Sequence, residues 1–246
     1  MSKTTIMIPT YNERGNISRL IESILSLKVA GQEIHVLVVD DNSPDGTGEA
    51  VAEYAAKNSK VRLITRKNER GRGSAGIVGF KEALASDSDF VIEMDADFSH
   101  DPKYIPELLN AAASGADVVL GSRFVEGGSD DDRGPYRQVV TKLAGFYVRT
   151  LLGLKVRDVS SGYRCFRRNA LKQIGLDNLI STGPSIVLEI LYKCSMKGFK
   201  IVEVPIVFID RRIGVTKLNS TTLIKTSLMV LRFRELKRRG RLFPAA

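Results

Sequence analysis

The sequence is poor in the residues that most thiol and transition-metal chemistry requires. Its two cysteines, Cys165 and Cys194, give neither a disulfide framework nor a zinc-ligand spacing, which points to a reducing compartment. Its two histidines, His35 and His100, are too few for a His-rich metal centre, and no Ser-His-Asp pattern stands out. No apolar run approaches the roughly 18–20 residues of a membrane span. The longest candidate, 223–233, is interrupted by Lys225 and Arg232. The first residues, MSKTTIMIPTYNE, lack the apolar region of a signal peptide. There is no internal repeat and no low-complexity linker. These absences predict a cytoplasmic protein without a transmembrane span, one that can still lie peripherally on the cytoplasmic face of a membrane.

What is present is a chain of 246 residues, 43% hydrophobic, enough for one large α/β domain with a real core. Lys and Arg number 37 against 28 Asp and Glu, a net charge of +9, which fits a nucleic acid, an anionic membrane surface or a phosphorylated substrate. Few aromatics accompany the basic segments, and acids gather at strand ends, so nucleic acid is not expected as a partner.

Strands are predicted at 4–9, 33–41, 60–65, 89–97, 116–123 and 200–208. Helical spacing falls between them at 15–29, 45–58, 74–86 and 101–115, then at 136–152 and 184–197. In the fourth of these helices Asp101 is the expected cap and Pro102 the first helical residue. Apolar strands alternating with helices predict a mostly parallel sheet covered on both faces. Ligands of such sheets sit beyond the carboxyl ends of the strands. The polar clusters PTYNE, DDNSPDGT, DADFSH and GSRF all fall there. The second half is less regular: 125–135 reads as a Gly-rich charged loop, 210–217 as a basic loop. The tail, 219–246, begins apolar and ends strongly basic, and reads as an amphipathic extension of a domain spanning 1–218.

The stretch VIEMDADFSH (91–100) poses a charge problem. An apolar strand runs into Glu93, Asp95 and Asp97, and like charges at a strand end must be neutralised. On a regular strand Asp95 and Asp97 would point the same way. Such a pair suits Mg²⁺ or Mn²⁺, which take carboxylate oxygens together with substrate phosphates and water. The plain alternative is a solvated loop in which Asp97 or Ser99 caps a turn. Asp40 and Asp41 end another apolar strand, where a carboxylate can accept hydrogen bonds from a base or ribose, while Ser43 to Thr47 read as an ordinary turn and helix start. GRGSAG (71–76) matches a dinucleotide fingerprint, but it follows the third strand through a long basic loop, and a loop over a nucleotide pyrophosphate is the better reading. Arg123, Arg137, Arg211 and Arg212 are each expected to be solvated charges unless the fold brings them together around a phosphate.

Six motifs in order, IPTYNE (8–13), VVDDNSPDGT (38–47), MDADFSHDP (94–102), GSRF (121–124), VSSGYRCFRR (159–168) and FIDRRIGVTK (208–217), resemble those of family 2 glycosyltransferases of the GT-A fold. Within that family the resemblance is to the dolichol-phosphate (polyprenyl-phosphate) mannosyltransferase branch, over about residues 4–220. It implies inverting, metal-assisted transfer of mannose from GDP-mannose to a dolichyl or other polyprenyl phosphate. By residue it implies Pro9, Tyr11, Glu13, Asp40, Asp41, Asp95, Ala96 and Asp97 for the nucleotide sugar. Asp95, Asp97 and Ser99 match the metal positions, Ser99 standing where many relatives have Gln. Arg123, Arg137, Thr141, Arg211 and Lys217 match positions for the acceptor phosphate, with Thr141 and Thr216 replacing serines. Arg212 adds a charge beside Arg211. Asp95, Asp97, Arg123 and Arg211 are the residues expected to carry catalysis.

An acceptor that is already a phosphate anion needs no general base, which agrees with the scarcity of histidine. Catalysis would then rest on positioning and electrostatics. Two basic apolar stretches, 139–154 and 222–241, have the make-up of interfacial helices and give a lipid acceptor a route to the bilayer, and KRRGR (237–241) favours anionic headgroups. Small membrane-anchoring subunits are the alternative. The rival activities are a related transferase using UDP-glucose or another donor on the same lipid, and a nucleotide-sugar-binding subunit without turnover.

Overall fold

The computed structural model describes residues 1–130, 134–209 and 220–243, with side chains from 224 onward in the last segment. Seven strands form one sheet: β1 Ser2–Thr10, β2 Gln32–Asp40, β3 Val61–Thr65, β4 Phe90–Glu93, β5 Val118–Ser122, β6 Arg164–Arg167 and β7 Ile201–Pro205. Their order is β3-β2-β1-β4-β6-β5-β7, parallel except for β6, which runs antiparallel to both β4 and β5. Strand β1 lies at the centre of the N-terminal half. Its Ile6, Met7 and Ile8 are fully buried on alternating faces, as the continuous apolar run requires of a strand covered on both sides.

Helices α1 (Arg14–Leu25), α2 (Thr47–Lys57) and α4 (Ile105–Ala113) cover one face, around Ile6, Ile8, Val36 and Val38. Helices α3 (Arg72–Ala85), α5 (Pro135–Leu152), α6 (Arg168–Gln173), α7 (Ile186–Met196) and α8 (Ser220–Arg238) cover the other, around Met7, Leu37 and Val39. The expected α/β architecture, mostly parallel with helices on both faces, is what the chain adopts. Asp101 caps the turn before α4 as expected, accepting from the Lys103 amide at 2.9 Å ahead of Pro102.

Two differences matter for the site. Strand β4 stops at Glu93, so Asp95 and Asp97 lie on a loop and not on a regular strand. The Asp95 amide donates to Nδ1 of His100 at 2.9 Å, and Phe98 takes a positive φ of 61°, so a tight turn replaces the ladder. Strand β6 comes from VSSGYRCFRR, which periodicity did not mark as a strand. Its four residues are half arginine, yet Cys165 and Phe166 face the two opposite cores.

Among the described residues no helix is long and apolar enough to cross a membrane.

Candidate active site

The N-terminal motifs meet at the carboxyl edge of β1, β2 and β4. Pro9 pairs in register with Val39, and the loop after β1 carries Tyr11 and Glu13. The Glu13 amide donates to Thr47 Oγ1 (2.9 Å), and the Asn12 amide to Ser43 Oγ (2.9 Å), so the first two loops are stitched together. Asp40 is buried. Its Oδ1 accepts from Thr10 Oγ1 (2.9 Å) and Ser43 Oγ (2.5 Å), and its Oδ2 from the Ser43 amide (2.8 Å). Asp40 therefore builds the loop beside which Asp41 stands. Asp41 accepts from Arg66 Nε at 2.6 Å and from the Gly71 amide at 2.7 Å, and Arg70 lies 4.7 Å over the Tyr11 ring. The basic loop after β3 is thus fastened to the acids after β2.

The acids at the end of β4 and just after it are met by arginines from elsewhere in the fold. Arg164, on β6 directly opposite Glu93, donates Nε and Nη2 to Glu93 Oε2, and both side chains are 1% exposed. Arg72, the first residue of α3, places Nη1 3.4 Å from Glu93 Oε1 and donates Nε (3.1 Å) and Nη2 (2.8 Å) to Asp95 Oδ1. Burial alone would lower the pKa of Arg72, but Asp95 and Glu93 outweigh it and push it up. Neither arginine was legible as a site residue. Arg72 sits within GRGSAG and Arg164 within VSSGYRCFRR, but nothing local says which acid each one reaches.

The glycines of GRGSAG serve packing. Gly71 has a φ of 143°, and a Cβ at Gly73 would stand 2.7 Å from the carbonyl oxygen of Thr182. Ala96 is buried. Asp97, also buried, accepts at Oδ1 from the Ser99 amide (3.1 Å) and from Ser99 Oγ (2.6 Å). Ser99 here supports the Asp97 carboxylate. His100 stacks on Tyr163 with ring centres 4.9 Å apart. Burial pulls its pKa down against the influence of Asp95 and Asp97, which suits an Nδ1 that accepts from the Asp95 amide.

A second feature adjoins this acidic loop. The Phe208 ring lies 6.2 Å from the His100 ring and 5.3 Å from the Arg123 guanidinium. Arg123 lines a pocket of about 460 Å³ shared with Gln138, Thr141, Lys142, Arg149 and Arg157. Of the residues expected around an acceptor phosphate, the fold brings Arg123 and Thr141 to this pocket. Arg137 is exposed on the first turn of α5. Arg211, Arg212 and Lys217 lie outside the described residues. The Arg123 side chain is itself held by Asp158, to which Nε donates at 2.7 Å and Nη2 at 2.8 Å.

Among the described residues no three His, Cys, Asp or Glu side chains cluster closely enough to hold a metal ion by themselves. Asp95 and Asp97 offer hard oxygen donors beside an excess of carboxylates. Mg²⁺ and Mn²⁺ sites are commonly built from one or two carboxylates completed by phosphate oxygens and water, so the residues fit such an ion.

The mostly parallel sheet, the acidic loop at its carboxyl edge and the cationic pocket beside it are those of a glycosyltransferase. The chain belongs to glycosyl transferase family 2, whose model matches residues 5–175. It is 38% identical over 222 residues to the polyprenol monophosphomannose synthase of Mycolicibacterium smegmatis, covering 90% of this chain and 83% of that protein. It is 39% identical to the undecaprenyl-phosphate mannosyltransferase of Micrococcus luteus, covering 87% of this chain and 86% of that protein. The dolichol-phosphate mannosyltransferase of Pyrococcus furiosus is 38% identical over 91% of this chain, which spans 61% of that longer protein. Among solved structures, glucosyl-3-phosphoglycerate synthase from Mycobacterium tuberculosis in complex with phosphoglyceric acid superposes with a TM-score of 0.68 at 21% identity. That match covers all of this chain and 82% of that one. The likeness is one of fold, and it bears out the GT-A expectation.

Proposed function

We propose that this chain transfers mannose from GDP-mannose to a dolichyl or other polyprenyl phosphate, with inversion. The observation that carries the reading is the adjacency, through Phe208, of the acidic loop 95–100 and the cationic pocket around Arg123. A donor diphosphate and an acceptor phosphate need two such neighbouring places. Three relatives at 38–39% identity with polyprenyl-phosphate mannose activity in their names support the substrate pair.

In this reading Pro9, Tyr11, Glu13, Asp41 and Ala96 line the nucleotide side, and Asp40 shapes the loop that presents Asp41. Asp95 and Asp97 hold Mg²⁺ or Mn²⁺, with Ser99 orienting Asp97. The bound ion would neutralise the donor diphosphate and favour departure of GDP. Arg123, Thr141 and Arg137, together with Arg211 and Lys217, hold the acceptor phosphate. Lys142, Arg149 and Arg157 extend that pocket with positive charge. An acceptor oxygen forms the new bond to the sugar C1 as the bond from C1 to GDP breaks, and GDP leaves with the electron pair. The acceptor is already ionised, so no protein base is needed, and the chain's work is to align two anions.

The lipid reaches the pocket along α5. Tyr136, Val139, Leu143 and Phe146 form one exposed apolar stripe on α5, and Ile224, Leu228 and Leu231 are exposed on α8, which packs beside it. Lys142, Lys225, Arg232 and Arg234 are exposed on the same two helices. Apolar and basic residues mixed on one surface suit the headgroup region of an anionic leaflet. The chain accordingly works as a peripheral protein, on the cytoplasmic face where nucleotide sugars are available, directly or beside a small membrane subunit.

The test uses purified protein, Mg²⁺ or Mn²⁺, a short polyprenyl phosphate in detergent, and labelled GDP-mannose in parallel with UDP-glucose. Label is expected in the lipid phase from GDP-mannose alone, and to be lost in Asp95→Ala. Transfer from UDP-glucose alone overturns the donor. Nucleotide binding without transfer overturns the enzymatic reading of the isolated chain.

A further inference from the structure

We propose that Arg72 is a resident counter-cation that couples divalent-metal binding at Asp95 and Asp97 to the arrival of the nucleotide diphosphate. The inference rests on the reading of those two carboxylates as the metal site.

The guanidinium of Arg72 is committed to the acids of the site. Two of its nitrogens lie on Asp95 Oδ1, at 3.1 and 2.8 Å, and the third lies 3.4 Å from Glu93 Oε1. The backbone builds a place for it. A Cβ at Gly162 would stand 2.5 Å from Arg72 Nη2, so the glycine of VSSGYRCFRR leaves the room the guanidinium fills. The start of α3 is fixed on both sides. Gly73 abuts the carbonyl of Thr182, and the Gly71 amide donates to Asp41 at 2.7 Å. A positive charge is thereby anchored within hydrogen-bonding distance of a carboxylate expected to bind a dication.

Two consequences follow from charge alone. A dication arriving by itself meets the repulsion of Arg72 and must share Asp95 with it. A nucleotide diphosphate offers Arg72 a second anion: as the guanidinium turns from Asp95 Oδ1 to the diphosphate, Asp95 is released to the metal, so Arg72 adds to the factor by which metal and nucleotide strengthen each other's binding, the same factor in either order. Arg72 thus lowers the affinity for free metal and raises the dependence on nucleotide. A fixed unit charge this close to a dication is worth a change on the order of tenfold or more in metal affinity. Arg72 is in this sense a positioning residue whose effect is read in metal binding, not only in turnover.

The experiment measures Mn²⁺ binding to the full chain by the EPR signal of free Mn²⁺, with and without GDP, with the Mn²⁺ held by GDP alone subtracted. Wild type is compared with Arg72→Met, Arg72→Gln and Arg72→Lys, and Asp97→Asn serves as the site control. Wild type is expected to bind Mn²⁺ weakly alone and on the order of tenfold or more tightly with GDP. Both charge-removing variants should bind Mn²⁺ alone more tightly and show a smaller gain from GDP than wild type, the remainder being the direct contact of the diphosphate with the ion, and Arg72→Lys should behave as wild type. Damage to the fold weakens a site, so a gain in affinity cannot come from misfolding, and Arg72→Gln serves if Arg72→Met does not fold. If Asp97→Asn removes binding while both neutral variants match wild type or bind more weakly, the coupling role of Arg72 is overturned and the metal site stands. If wild type binds no Mn²⁺ with GDP, or Asp97→Asn changes nothing, the metal reading fails and this inference fails with it.

Discussion

Asp158 takes three hydrogen bonds from Arg123: from the backbone amide at 3.2 Å, from Nε at 2.7 Å and from Nη2 at 2.8 Å. The carboxylate is fully buried and the guanidinium nearly so. Burial raises the pKa of Asp158, but the hydrogen bonds from Arg123 and its charge more than reverse this and hold it below the ordinary 3.8. A depressed folded-state pKa contributes stability that is complete above the unfolded value and is lost as pH falls through the folded one. Asp158→Ala leaves a buried cation without its partner and is expected to cost about 3–5 kcal/mol in denaturant unfolding at neutral pH. The difference between wild type and Asp158→Asn should shrink as the pH is taken from neutrality to below 3.8.

Glu93 and Arg164 form the buried pair beneath the acidic loop. Arg164→Met is expected to destabilise the chain by about 3–5 kcal/mol, because Glu93 stays buried with a weaker set of partners. Adding Glu93→Met should recover part of that loss. A double-mutant cycle by urea unfolding should then give a coupling of about 1–3 kcal/mol. Additive effects would mean that the pair is not coupled.

Ser99→Ala removes a hydroxyl that donates to Asp97 Oδ1 at 2.6 Å. A group that orients a ligand is expected to change Mn²⁺ affinity by about tenfold when removed. Asp97→Asn should abolish measurable binding. Calorimetric titration of Mn²⁺ in the presence of GDP separates the two, and an equal loss in both variants would make Ser99 a ligand in its own right.

Leu143→Glu combined with Phe146→Glu places two charges on an exposed apolar stripe. Flotation with vesicles rich in anionic lipid should fall sharply, while the unfolding free energy changes by no more than about 0.5 kcal/mol per substitution. Raising the salt should weaken the association of wild type with the same vesicles, because the basic residues act through screened charge. Unchanged flotation in the double variant would move the membrane contact off α5.

Both thiols are chemically quiet. Burial pushes the pKa of Cys165 and of Cys194 up to about 12. A disulfide reagent at neutral pH is expected to label neither cysteine in the native protein and both after unfolding in guanidinium. Fast native labelling would contradict the packing of β6 or α7.

The parallel strands were legible because each carries an apolar run long enough to be buried on both faces, as in β1 with Ile6, Met7 and Ile8. The ends of strands were less so. The apolar signal of VIEMDAD carries on past Glu93, and only the amide of Asp95 turning to His100 ends the ladder. Strand β6 was illegible because Arg164 and Arg167 hide a two-residue apolar signal. The candidate site was legible as a set of acids and unreadable as a network. Asp95 and Asp97 announce themselves by position, whereas Arg72 and Arg164 are distant in the chain and gain meaning only when α3 and β6 arrive beside β4. Arg123 was read as a phosphate ligand. Its commitment to Asp158 was invisible, since 35 residues separate the two.

Strand β6 also sets an order of assembly during synthesis. The four strands β3, β2, β1 and β4 are complete in the first 93 residues and can pair as they emerge. Strand β5 comes next in the chain, but its place is not beside β4. The slot between them is kept for residues 164–167, which lie beyond α5. A nascent chain halted before that point has Glu93 at an open sheet edge without its arginine, exposed to pairing with another chain. The segment that joins the two halves of the sheet is therefore also the one that gives Glu93 its buried partner, and the union of the halves and the neutralisation of that acid are reached in the same step.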